Sequence, residues 1–203
     1  MNRKEHWENI YHTKLLTEVS WYQPQPSFSA ELIEKYIDSK DKKLIDVGGG
    51  DSFLVDKLIE EGYTHITLLD ISPRAIERAK ERLGSRSSRV KWIVSDITKF
   101  SPEEAYDLWY DRAAFHFMTS DEDVATYKTN LIKATHTDSI FIVGTFSENG
   151  PTKCSGIDIR QYSEQDLRDT FAPEFKLIEI INVDHTTPFG TLQNFNFGVF
   201  IST

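Results

Sequence analysis

Residues 44–52 read Leu44-Ile45-Asp46-Val47-Gly48-Gly49-Gly50-Asp51-Ser52, a short apolar run that breaks into three glycines just ahead of a helical pattern. Lys43 to Val47 has the apolar, β-branched character of a buried parallel strand. Phe53, Leu54, Val55, Leu58 and Ile59 follow at helical spacing, with Ser52 where an N-cap belongs, so the spacing predicts strand, turn and a helix over 52–61. The glycines remove Cβ atoms that would hold a ligand off the backbone, and the helix N-terminus offers unpaired N–H groups. A nucleotide-like ligand fits this geometry. The dinucleotide fingerprint, however, wants a third glycine where this chain has Phe53. Asp46 and Asp51 also flank the place a pyrophosphate would sit, and like charges would repel it. The same carboxylates suit a ligand with a cationic amino-acid end.

Asp46-Val47-Gly48-Gly49-Gly50 resembles the first motif, D-x-G-x-G at the end of strand 1, of the class I S-adenosylmethionine (SAM)-dependent methyltransferases. The resemblance implies a three-layer, Rossmann-like α/β fold. Its mostly parallel seven-stranded sheet has the order 3-2-1-4-5-7-6, an antiparallel C-terminal hairpin and helices on both faces. It also implies SAM as cofactor, S-adenosylhomocysteine as product, and Asp46, Gly48, Gly49 and Gly50 in contact with them.

The chain beyond the glycines agrees with that outline. His65 to Ile71 reads as strand 2, with Asp70 and Ile71 at its carboxyl end about 20 residues past Gly50, where an acid accepts both hydroxyls of a ribose. Ser72-Pro73 supplies N-cap and N1 for the next helix. Val90 to Ile97 reads as strand 3. In the family, Asp96 matches the residue that bonds the adenine amino group and Ile97 offers a backbone N–H to the ring. Tyr106 to Asp111 is strand 4, running into Arg112 and His116, and in methyltransferases this strand end meets the methyl group and its acceptor. Asp111, Arg112 and His116 are therefore the candidate catalytic residues, with Asp111 also a candidate cofactor contact; a neutral histidine can take a proton near pH 7. The Asn/Asp-Pro-Pro-Tyr/Phe signature of enzymes acting on exocyclic or amide nitrogens is missing, which disfavours adenine and glutamine acceptors.

Further along, Ser120 starts a helix with three acids in its first turn, Ser139 to Phe146 reads as strand 5, and Ser163 caps a helix over 164–171. Lys176 to Val183 and Leu192 to Ile201 form the hairpin. Upstream, Ser27 or Ser29 caps a helix carrying Leu32, Ile33, Tyr36 and Ile37, and residues 5–22 are dense in aromatics. Trp7, Ile10 and Tyr11 read as a packing helix face. Trp21 and Tyr22 lie in a Pro-flanked stretch that cannot be helical and could lid a sulfonium through cation–π attraction of about 0.5–2 kcal/mol. The pattern Trp-Glu-Asn-Ile-Tyr followed by Trp-Tyr is similar to the segment ahead of the domain in several small methyltransferases, some of which methylate protein lysines.

At 203 residues the chain reads as one domain over 1–203, with 1–40 as an N-terminal helical and aromatic cap. A net charge of −9 disfavours nucleic acid as partner, and one cysteine excludes an intrachain disulfide and any cysteine-clustered metal site. With no apolar stretch long enough for a membrane span, a cytoplasmic monomer or weak homodimer that needs no metal is the expectation. The acceptor stays open between a small molecule and a protein side chain. A lysine would want aromatic walls and a carboxylate; a small acid would want Arg112. Further candidate lining comes from Tyr22 and the 147–162 and 184–193 loops, with Cys154, Tyr162, His185 and Gln193. A non-catalytic SAM-binding module and a nicotinamide-dependent oxidoreductase remain as alternatives.

Overall fold

In a computed structural model, which describes residues 2–203, strands carrying the apolar runs form one seven-stranded sheet. The elements run α1 (Arg3–Thr13), α2 (Ser27–Tyr36), β1 (Lys43–Val47), α3 (Leu54–Glu60), β2 (His65–Asp70), α4 (Pro73–Leu83), β3 (Val90–Val94), β4 (Tyr106–Arg112), α5 (Asp121–Lys133), β5 (Thr135–Phe146), β6 (Lys153–Cys154), β7 (Ile157–Asp158), α6 (Glu164–Phe171), β8 (Phe175–Thr186) and β9 (Leu192–Ser202). The sheet order is β3-β2-β1-β4-β5-β9-β8. Leaving the two-residue strands β6 and β7 out of the count, this is the expected 3-2-1-4-5-7-6. Pairings are parallel as far as β5 and antiparallel for β5–β9 and β8–β9.

Alternation along the strands divides the core. Leu44, Leu108, Tyr110 and Ile142 pack with α2 and α3 on one face. Ile45, Val47, Trp109, Phe141 and Val143 pack with α5 and α6 on the other. In register, Asp46 sits beside Tyr110 and Val47 beside Asp111, so Asp46, Tyr110 and Arg112 share the α2/α3 face, while Asp111 faces α5. No helix of the described residues is long and apolar enough to cross a membrane.

Several boundaries differ from expectation. Helix α3 starts at Leu54 with Phe53 as an N-cap that makes no side-chain bond. Residues 49–52 are instead a turn, closed by the Ser52 N–H on the Gly49 carbonyl at 3.0 Å and gripped by Arg82, which donates to the Asp51 and Ser52 carbonyls at 2.6 and 2.8 Å. Neither Ser27 nor Ser29 caps α2. Pro26 occupies that position, and Ser29 lies within the helix, its Oγ accepting the Tyr110 hydroxyl at 2.6 Å. Strand β5 begins at Thr135 rather than Ser139, because a bulge opposite β4, with Asp138 at φ 69°, carries the extra residues. By contrast Ser72, Ser120 and Ser163 cap α4, α5 and α6 as expected, Ser163 through a capping box with Asp166.

Candidate functional site

The carboxyl ends of β1 to β4 open into one cavity, roofed by α1 and the loop that follows it, with about 1220 Å³ of empty space counted out to its mouth. Trp21, Asp46, Gly48, Gly49, Asp70, Ile71, Asp96, Ile97 and Arg112 all line it. Gly50, Asp111 and His116 do not.

The glycine turn is built for close approach. Gly48 has φ +71° and a Cβ there would lie 2.5 Å from the Ala114 Cβ; at Gly49 a Cβ would lie 2.5 Å from Asp46 Oδ2. Gly50, at φ +54°, faces elsewhere: its missing side chain makes room for the Tyr11 hydroxyl. Asp46 is buried and its Oδ2 has no hydrogen-bond partner among the described residues. Burial, with Asp111 and Asp70 adding like charge and Arg112 opposing, pushes its carboxyl up to about 8. Asp70 closes β2 equally buried. Its Oδ1 accepts the Ser72 N–H at 2.8 Å, and burial, only partly offset by that bond, pushes it up to about 7. At the end of β3, Asp96 accepts the Thr98 N–H and hydroxyl on Oδ1 at 2.9 and 2.8 Å, and its other oxygen has no hydrogen bond among the described residues. Three successive strands thus end in acids around one cavity, the crevice where open α/β sheets take ligands.

On β4, alternation separates the candidate catalytic residues. Asp111 turns toward α5, where it accepts the Tyr127 hydroxyl at 2.7 Å and the Ala114 and Phe115 N–H groups at 2.8 and 3.1 Å. Burial raises it to about 6, less than Asp46, because these three donors oppose the shift. It fastens the loop after β4. His116 is fully enclosed between Phe117 and Phe146, with ring centroids 4.6 and 4.7 Å away. Its Nδ1 faces the Phe146 N–H at 3.3 Å, and burial together with Arg112 drives its pKa down to about 3. The ring is neutral and outside the cavity, which is not the placement of a general base. Arg112 does reach the cavity: Nη1 donates to the Trp21 carbonyl at 3.3 Å and the guanidinium sits over the Phe195 ring at 5.4 Å.

The residues that the sequence reading missed come mostly from α1. Trp7 lines the cavity rather than only packing, its ring 5.7 Å from Trp21 and 5.0 Å from Phe117. Tyr11 stands over Gly50, its hydroxyl pKa raised by burial first and by Asp70 and Asp51 next. Polar contacts latch α1 over the site. Arg3 pairs with Asp123, Glu8 accepts from Ser72 Oγ, and Arg78 Nη1 donates to the Tyr11 and Lys14 carbonyls, each at 3.1 Å, while its Nε holds Asp51 at 3.2 Å. The i, i+4 spacing of Trp7 and Tyr11 was the available signal. Tyr22 lines the cavity and packs on Phe53, ring centroids 6.2 Å apart. Of the loop candidates, Cys154 lines the cavity, and His185 braces residues 20–23 through the Ser20 carbonyl at 2.7 Å. Tyr162 belongs to the α5/α6 core.

Known proteins resemble the chain in sequence and in fold. The chain is 30% identical over 125 residues to a mouse eEF1A lysine and N-terminal methyltransferase, covering 61% of this chain but 18% of that protein. It is 34% identical over 92 residues to malonyl-[acyl-carrier protein] O-methyltransferase 1 of Ilyobacter polytropus, 44% of this chain and 34% of the relative. The chain therefore spans only a fraction of the curated relatives it matches. Among solved structures, the N-methyltransferase NodS from Bradyrhizobium japonicum in complex with S-adenosylhomocysteine superposes with a TM-score of 0.75 at 17% identity, over 96% of this chain and 97% of that one. Such a likeness speaks to the fold. The profile of a family described as "Methyltransferase domain" matches residues 38–185, from just ahead of β1 into β8, and on that match the chain belongs to the methyltransferase domain family, with the Rossmann-like fold of its SAM-dependent members.

Proposed function

We propose that this chain transfers a methyl group from SAM to a small-molecule or protein side-chain acceptor. The observation that carries the reading is Asp46 Oδ2, a buried carboxylate oxygen with no protein partner, set against a glycine where a Cβ would collide with it. An ammonium group is the partner it lacks, and the cofactor's amino-acid end carries one. The remaining residues fit the rest of that molecule. Asp70 would accept the ribose hydroxyls, Asp96 and Ile97 would flank the adenine, and Gly48 and Gly49 would let the chain lie against the backbone. Trp7, Trp21 and Phe117 provide aromatic walls suited to a sulfonium.

When bound, SAM supplies a methyl carbon already activated by the sulfonium, so that an acceptor lone pair forms the new bond while the carbon–sulfur electrons return to sulfur. The chain's part is then to hold the acceptor near attack distance and keep water out. Tyr110, fixed by Ser29, and Arg112, fixed by the Trp21 carbonyl, stand at the β4 end for the first task. Helix α1 and its latches serve the second.

Calorimetric titration with SAM, S-adenosylhomocysteine and NADH side by side tests the reading. Binding of the first two alone is the expected result. Binding of NADH alone, or of nothing, would overturn it. Labelled-methyl transfer to acceptor panels then separates an enzyme from a module that binds the cofactor without turnover.

A further inference from the structure

The cavity sets carboxyl groups at one end and a guanidinium at the other. Asp46, Asp70 and Asp96 close β1 to β3, whereas the β4 end holds the Arg112 guanidinium, whose Nη2 is enclosed and has no hydrogen-bond partner among the described residues. Among the described residues its one hydrogen bond is the 3.3 Å contact from Nη1 to the Trp21 carbonyl, and it lies over the face of Phe195. Asp46 is close enough to feel this guanidinium, but no carboxylate is hydrogen-bonded to it, and a buried guanidinium held only by an aromatic face and a carbonyl recovers only part of its lost hydration. The histidines it influences, His116 and His185, are both pushed toward the neutral form, which leaves the local charge positive. Phe195 lies on β9, two strands beyond β4 on the side away from β1, so the guanidinium lies toward the β9 side of the cavity while still within electrostatic range of Asp46. Tyr110 and Cys154 lie near it, and Gln23, Pro26 and Ser29 line the same cavity.

We infer that Arg112 is the specificity determinant of the acceptor subsite, and that the acceptor is an apolar or aromatic small molecule carrying a carboxylate that this guanidinium clamps. The inference rests on the proposed methyltransferase reading and narrows its acceptor. A planar fork of donors matches a carboxylate bidentately, which a lysine would not do. The same positive charge disfavours a protonated lysine side chain beside it as acceptor. The clamp is a handle that orients the acceptor; the methylated atom is elsewhere on it.

The test uses the full chain saturated with S-adenosylhomocysteine and titrates it with phenylacetate, indole-3-acetate and benzoate, each against its primary amide. At least one acid is expected to bind tenfold or more tightly than its amide. Arg112→Gln should abolish that preference and Arg112→Lys should restore part of it, with the thermal midpoint of each variant read to establish folding. Acids and amides binding equally, or none binding, would overturn the inference while leaving cofactor binding intact. A second arm compares S-adenosylhomocysteine with 5′-methylthioadenosine, which lacks the amino-acid carboxylate. If Arg112→Gln weakened the former tenfold and spared the latter, the guanidinium would serve the cofactor's carboxylate, which also overturns the inference. Failure of wild-type protein to bind S-adenosylhomocysteine at all would instead remove the methyltransferase reading.

Discussion

Cofactor binding should expel protons from the chain. In the free protein Asp46 is raised to about 8 and Asp70 to about 7, in both cases by burial first. At pH 6.5 these values keep Asp46 almost wholly and Asp70 mostly protonated, while an α-amino group, with an ordinary pKa of about 7.7–8.0, is charged. An ammonium on Asp46 and hydroxyl donors on Asp70 both favour the ionised carboxylate. Drawing the two groups back into the usual carboxylate range therefore releases about one to two protons per ligand bound, and by linkage affinity rises about tenfold or more per pH unit around pH 6.5. The assay is calorimetry with S-adenosylhomocysteine at pH 6.5 in two buffers of different ionisation enthalpy. The difference in heat gives the protons released, and Asp46→Asn should reduce the number by about one. Identical heats in the two buffers would refute the reasoning, because the carboxylates would then be ionised already and the burial argument for the site would fail.

Four other outcomes follow from the same geometry. For Asp46, the folded pKa lies above the unfolded value of about 3.9, so this group makes the free chain less stable as pH rises toward about 8; Asp46→Asn should raise the thermal midpoint at pH 8 but not at pH 4, on the order of a few kcal/mol. Asp70→Asn keeps an oxygen for the Ser72 N–H yet loses the charge, and should weaken SAM by about 1.5–3 kcal/mol by calorimetry. His116 has the opposite sign: its folded pKa of about 3 lies below the unfolded value near 6.5, so it favours folding above that value and the contribution is lost as pH falls. His116→Asn should then remove about 2 kcal/mol of acid sensitivity at pH 5 in denaturation curves, with turnover per folded molecule unchanged. Gly49→Ala should leave the chain folded but weaken S-adenosylhomocysteine by about tenfold or more, because the new Cβ meets Asp46 Oδ2 at 2.5 Å.

The strands and most helix starts were legible because their causes are local. Ser72-Pro73, Ser120 and Ser163 lie directly ahead of periodic apolar residues, and each hydroxyl caps the helix that follows. The series Asp46, Asp70, Asp96 was also legible, since each closes an apolar run and parallel strands bring such ends to one edge. Period two along β4 already implied that Asp111 and Arg112 cannot face the same side, and applying it would have kept Asp111 from the site. His116 was beyond reach. Its position depends on the loop after β4, with Ala113 at φ +72°, and on Phe146 of β5 closing over the ring. The true start of α3 was hidden for a similar reason: Arg82, about 30 residues away in sequence, holds the turn that delays it. The roof was least legible, because Trp7 and Tyr11 have the spacing of an ordinary packing face and only the chain's return through Trp21 and Phe117 shows what they cover.

That roof sets a timetable for turnover. Helix α1 is fastened over the cavity by Arg3, Glu8 and the Arg78 bonds to two of its terminal carbonyls, polar contacts that water can replace, whereas the sheet below is fixed by its ladders. Lifting α1 therefore costs less than disturbing a strand end, and on the proposed methyltransferase reading spent cofactor would depart through a local opening of that helix. On that reading the Arg78 grip, together with the Trp7 and Tyr11 packing, would set how long product dwells, and loosening it would be the way to shorten that dwell.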